Sequence, residues 1–214
     1  MTSETRHDPR LDGWRGCAVL WVLAGHFALL PIYTGRLGVE FFFVLSGRLM
    51  AEILFVRNVP LRLFYLRRAS RIIPALWAFV FAMLAASYVV PLDVDLEKAV
   101  KALLFVNNYL PNGDTLGHLW SLCVEEHSYV MLSLIAVAAR RFDLNVLPIL
   151  FGLALLCAIN GAVQTWAFER DYFAVYWHTD VRAASILGSA AMARRVDDVV
   201  RDQMSPVVFP VSFE

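Results

Sequence analysis

LDGWRGCAVLWVLAGHF, residues 11–27, is the stretch whose reading decides the fold. A short charged lead-in runs directly into an apolar run that carries one arginine, Arg15, and one histidine, His26. At 3.6 residues per turn the two lie almost three turns apart on one helix face, about 16 Å along its axis. An ionisable group inside an apolar helix is costly, so by default it marks a working site.

Outward from that stretch the whole chain has the same character. Of its 214 residues, 59% are apolar and 18% charged, and the mean hydropathy is +0.58, more apolar than a water-soluble domain of this length. The expected fold is all-α, a polytopic transmembrane helix bundle of about six spans. They are read at residues 14–33, 37–56, 72–90, 119–139, 144–168 and, more weakly, 173–193. A short turn is expected around Pro31 and Gly35, a polar loop over 91–117 with a surface helix inside it, and a tight turn at Arg140, Arg141 and Asp143. The opening residues do not have the pattern of a cleavable signal peptide.

Basic residues set the orientation. With the N-terminus in the cytoplasm, 13 Lys and Arg fall on inner segments and 5 on outer ones, with Arg48 left inside a span. That asymmetry fits six crossings with both ends of the six-span unit cytoplasmic; the expected location is the cell inner (plasma) membrane, with lipid as its surroundings. The formal net charge is zero and by itself says nothing about nucleic acid; no nucleic-acid partner is expected of a membrane protein of this kind. Cys17, Cys123 and Cys157 all lie in apolar runs, so neither a disulfide framework nor a metal cluster is expected, and all three read as small core residues.

Four constellations carry possible chemistry. Arg15 has a bland reading, a side chain snorkelling to the interface, and His26 one as a histidine satisfied by a neighbouring helix. Against that, a neutral imidazole deep in the span has the chemistry of a general base. Arg67, Arg68 and Arg71 precede Pro74, and Arg68 and Arg71 at i, i+3 share a face if they are helical, a pair suited to phosphate oxygens. The same loop also serves simply to set topology.

Glu125 and Glu126 sit in an apolar span and cannot both be ionised cheaply unless they meet a cation or water; an arginine or histidine of another span is one candidate partner, and a purely structural ion pair is the bland reading. Consecutive positions are about 100° apart, so only one of the two is expected to face a given site. In the second span Arg48 and Glu52 stand at i, i+4 and are expected to neutralise each other, with Glu40 solvated near the outer interface. Asp180 and Arg182 form a weaker candidate.

LDGWRG at 11–16, the spacing of Arg15 and His26, GRLGVEFFFVLSG at 35–47, RRASRIIP at 67–74 and HLWSLCVEEHSY at 118–129 together resemble the acyltransferase type 3 family. Members of that family are integral membrane enzymes that O-acylate, usually O-acetylate, sugars and other hydroxyl-bearing molecules. The resemblance implies an acyl-coenzyme A (acetyl-CoA) donor as co-substrate, with no permanently bound cofactor, and a hydroxyl-bearing carbohydrate or lipid acceptor. By position, Arg15 and His26 would be the essential pair, His26 as general base or transient acyl carrier. Arg68 and Arg71 would contact donor phosphates, and Glu125 or Glu126 would support the site.

The chain departs from the family pattern at Arg48, Cys123, His127 and Ser128. The family's membrane unit has about ten spans, more than hydropathy supports here. Residues 1–196 are therefore expected to be an N-terminal part of the acyltransferase domain and 197–214 a tail. A non-catalytic membrane protein is the alternative, either a remnant or a transporter, although no internal repeat of the transporter kind is visible.

Overall fold

The computed structural model describes residues 9–27, 32–109 and 115–204. Among them there is no strand, and the chain is a helical membrane bundle. The long helices are α1 (Pro9–His26), α2 (Ile32–Ala51, continued by a π-helical turn, Glu52–Val56) and α3 (Leu61–Ala86). A short α4 (Leu96–Leu103) follows, then α5 (Trp120–Phe142), α6 (Val146–Trp166), a short α7 (Tyr172–Tyr176) and α8 (Thr179–Met204).

Local chemistry sets most of these ends. Asp95 caps α4 by accepting from the Lys98 amide at 2.8 Å, and Asn145 caps α6 by accepting from the Leu147 amide at 3.1 Å. Asp143 takes the left-handed conformation that stops α5, with φ 51°. Inside α3, Pro74 removes one backbone donor, yet the helix carries on past it.

α5 is the central post. In its membrane-length stretch 44% of residues are buried, against 11% in α3 and 6% in α6. The main core gathers Phe43, Met50 and Leu54 of the α2 segment, Trp120, Val124 and Leu132 of α5, and Ile186, Leu187 and Ala190 of α8. A smaller core joins Leu76 and Val80 of α3 to Ala99 and Ala102 of α4 and to Leu116. Outside these lie large exposed apolar side chains, such as Trp77 and Phe81 on α3 and Leu155 and Leu156 on α6. Exposed apolar surface of that extent suits lipid and not water.

Two close helix approaches depend on glycine. A Cβ on Gly47 would collide with Ile186 O and Ser189 Oγ of α8, and one on Gly38 would lie 2.7 Å from Ala18 O of α1. Small residues at such crossings let helix backbones meet in a membrane.

The structure corrects several expectations. Helix α3 starts at Leu61, so most of the basic loop is helical, with Arg62, Arg67, Arg68 and Arg71 all within it. Gly35 lies inside α2, not in a turn. The sixth span divides into α7 and α8, and α8 runs on to Met204, so the first part of the expected tail is helical.

Three helical stretches are long and apolar enough to cross a membrane among the described residues: Leu61–Ala86, Gly117–Phe142 and Val146–Trp166. The six expected spans also included α1, α2 and α8, which are 18, 20 and 26 residues long but have at least three charged residues in every 18-residue stretch. Cys17 is exposed, contrary to the expectation of a core role, while Cys123 is buried.

Candidate active site

Four residues apart on α5, Glu125 and Tyr129 share a flank, and the Tyr129 hydroxyl donates to Glu125 Oε1. The hydroxyl of Ser46, from the SG step of α2, donates to the same oxygen. Arg68 comes in from α3. Its Nη2 donates to Glu125 Oε2 at 3.3 Å, and its Nε donates to Glu126 Oε1 at 2.7 Å. The guanidinium lies 3.8 Å from the centre of the Tyr129 ring, a cation–π contact. Behind it, the Tyr65 hydroxyl donates to Ser133 Oγ at 3.0 Å.

Glu125 is only 5% exposed, and a carboxylate so placed is tolerable because a cation and two hydroxyls meet it. Glu126 is half-buried, and Arg68 Nε meets one of its oxygens. The expectation that only one of the two acids faces the site fails here. Arg68 presents Nε and Nη2 along one edge, and that edge is wide enough to bridge neighbouring positions of a helix.

Arg71, one turn beyond Arg68, is exposed. The two arginines expected to act alike therefore differ: Arg68 is committed to carboxylates, and Arg71 faces outward. Asn58, Arg140, Asp143, Val146 and Arg194 line a cleft between the π-turn, α5, α6 and α8, at the far end of α5 from Arg71.

On α1, Ala18, Val22 and Gly25 are the residues that meet Gly35 and Gly38 of α2. In that antiparallel register Arg15, which is half-buried, lies level with residues 43–45, close in depth to Ser46. His26 closes α1 three turns further along, level with the first turn of α2, and its side chain lies outside the described residues.

Two more polar clusters bridge helices. Glu40, expected to be solvated near the outer interface, is partly exposed but also has partners on α8. It pairs with Arg182 of α8 and accepts from Ser185 Oγ at 2.7 Å, while Arg182 lies 4.2 Å from the Tyr176 ring centre. On the opposite flank of α5, His127 Nδ1 is 2.8 Å from Thr179 Oγ1, which also accepts from Asn108 Nδ2 at 2.9 Å. Glu52 pairs with Arg57 and not with Arg48, because the π-turn beginning at Glu52 changes the α-helical spacing. Asp180 holds Asn160 and Gln164 of α6, through Asn160 Nδ2 at 2.8 Å and Gln164 Nε2 at 3.2 Å. Among the described residues no three His, Cys, Asp or Glu side chains converge as a metal site.

Sequence reasoning missed Ser46, Tyr129 and Ser185. Only Tyr129 carried a readable signal, its i+4 distance from Glu125.

The profile of the acyltransferase domain matches residues 8–211, nearly the whole chain. The chain belongs to the acyltransferase type 3 family. Among similar proteins of this family is the peptidoglycan O-acetyltransferase OatA of Listeria monocytogenes, 30% identical over 215 residues, which cover 88% of this chain and 34% of the relative. A putative peptidoglycan O-acetyltransferase of Bacillus subtilis, YrhL, is 29% identical over 90% of this chain and 34% of its own. The O-acetyltransferase OatA of Staphylococcus aureus is 28% identical over 88% of this chain and 34% of its own. This acyltransferase type 3 chain thus spans about a third of the length of each of these relatives. No solved structure matches it.

Proposed function

We propose that the chain is a membrane O-acetyltransferase that moves an acetyl group from acetyl-coenzyme A to a hydroxyl of a cell-wall carbohydrate. The observation that carries this reading is the family match over residues 8–211, together with relatives named as O-acetyltransferases, two of them for peptidoglycan. The geometry supplies compatible chemistry: a carboxylate pair that fixes Arg68, an exposed Arg71 one turn on, and the α1 helix carrying Arg15 and His26.

In the proposed reaction His26 takes the proton of the acceptor hydroxyl, and the oxygen attacks the thioester carbonyl. Arg71 holds donor phosphates as the donor arrives from the arginine-rich end of the bundle, which the positive-inside rule makes cytoplasmic. Glu125 and Glu126 hold Arg68, and Arg15 completes the charged layer at that depth. The acceptor meets the site from the opposite end.

The test uses the purified chain in lipid nanodiscs with radiolabelled acetyl-coenzyme A and a soluble peptidoglycan fragment. Label should appear in an alkali-labile ester on the fragment, and His26→Ala should abolish it. Label that stays on coenzyme A with the unaltered chain, or full transfer by His26→Ala, would overturn the proposal or the role of His26 respectively.

A further inference from the structure

We propose that the outward face of α2 seats a partner membrane-spanning helix whose carboxylate, near mid-bilayer, pairs with Arg48. Leu37, Phe41, Val44 and Arg48 recur at i, i+4, i+7 and i+11, so they form one stripe along α2, and all four are exposed.

The stripe looks away from the Glu125 site. Arg48 stands two residues past Ser46, which meets Glu125, and so points about 200° round the helix from that contact. It also stands one residue past Gly47, which meets α8, and ten past Gly38, which meets α1. By helical angle it emerges between α1 and α8, on the flank where the rings of Trp21 and Phe41 lie 5.2 Å apart.

The cation is deep. Nine residues, about 13 Å of helix, separate Arg48 from Arg57, which precedes Asn58 at the basic end with Arg140 and Arg194. In a hydrocarbon layer of about 30 Å that is close to the middle. Side chains tilt toward the N-terminus of their helix, here away from the basic end, so the guanidinium is poorly placed to snorkel out. An exposed arginine at such depth demands a counter-charge.

The described residues supply none. The π-turn gives Glu52 to Arg57, Arg182 and Ser185 hold Glu40, and Arg68 holds Glu125 and Glu126. Arg48 has no hydrogen bond or ion pair among the described residues. Arg62, Arg67 and Arg71 are exposed too, but on α3, beyond the Glu125 contact and so on the other side of α2.

Charge complementarity selects the occupant. A second copy of this chain would bring arginine to arginine across a two-fold axis. A phospholipid phosphate stays at the bilayer surface, about 13 Å off by the same helical count. A helix with one carboxylate at matching depth supplies the charge and also packs on Leu37, Phe41 and Val44.

The probe is a synthetic Leu/Ala-rich transmembrane peptide with one central Glu, compared with the same peptide carrying Gln, each with one cysteine a turn from that position. Association with the full 214-residue chain in nanodiscs is read by energy transfer between dyes on the two termini. Location is read by disulfide formation to Cys17, which is exposed on α1 one turn before Trp21. Neither readout requires turnover, so a chain inactive in acetyl transfer answers equally.

The Glu peptide should associate about tenfold more tightly than the Gln peptide, and Arg48→Leu should erase the difference. Cys17→Ser should abolish the cross-link and leave the energy transfer. Replacing Arg48 should not lower the melting temperature, and Arg48→Gln serves if Arg48→Leu alters the fold. Equal association of the two peptides with the unaltered chain, the result expected if lipid phosphate or water meets Arg48, would overturn the proposal. So would a preference that survives both Arg48 variants, or energy transfer with no cross-link to Cys17.

Discussion

Arg68 of α3 and Glu126 of α5 meet at 2.7 Å, and the same guanidinium reaches the neighbouring Glu125. One cation thus serves two consecutive acids. Arg68→Ala would leave Glu125 buried with only its hydroxyl donors, a loss of about 3–5 kcal/mol by the usual cost of breaking a buried pair. Denaturant melts in detergent check this, with Arg68→Lys expected to recover only part of the loss because it lacks the planar fork.

Ser46→Ala and Tyr129→Phe each delete one hydroxyl donor to Glu125 Oε1. Each should lower stability by about 2 kcal/mol, as for a hydrogen bond to a charged group. Because both hydroxyls meet the same oxygen, the double variant should depart from additivity, and a double-mutant cycle measures by how much.

Arg71 should behave unlike its neighbour. It is exposed, so Arg71→Ala should leave the melting temperature in place and raise KM for acetyl-coenzyme A about tenfold, or 1.4 kcal/mol. An unchanged KM would remove it from the donor site.

Gly47→Ala should push α2 and α8 apart, since the added methyl runs into Ile186 O and Ser189 Oγ. An overpacking cost of about 1–3 kcal/mol is expected, visible as a lower melting temperature. Gly152→Ala on α6 is the control: nothing lies within 4 Å of the added methyl, and stability should hold or rise by up to about 1 kcal/mol.

The helical class was legible in the apolar runs, and so was the demand of Glu125 and Glu126 for a cation from another helix. The arginine that answers it, Arg68, stood in a motif already singled out. What stayed hidden was partner choice across helices. Ser46 with Glu125 and Glu40 with Arg182 are 79 and 142 positions apart in sequence, and such pairs are fixed by packing register, to which helical periodicity is blind. Glu52 went to Arg57 because a π-turn changed the local spacing. The start of α3 was misplaced because the apolar measure used to find spans discounts arginines, which have good helix propensity.

α5 is fastened on two flanks, by Arg68 and Ser46 on one and by Thr179, through His127, on the other. Rotation of this helix about its long axis would strain both fastenings together. One extra residue between Leu122 and Glu125 would turn the lower helix by about 100° and unseat both at once, whereas the same insertion after Phe142 would leave them intact. Motion within the bundle must then come from the outlying helices sliding past a fixed α5.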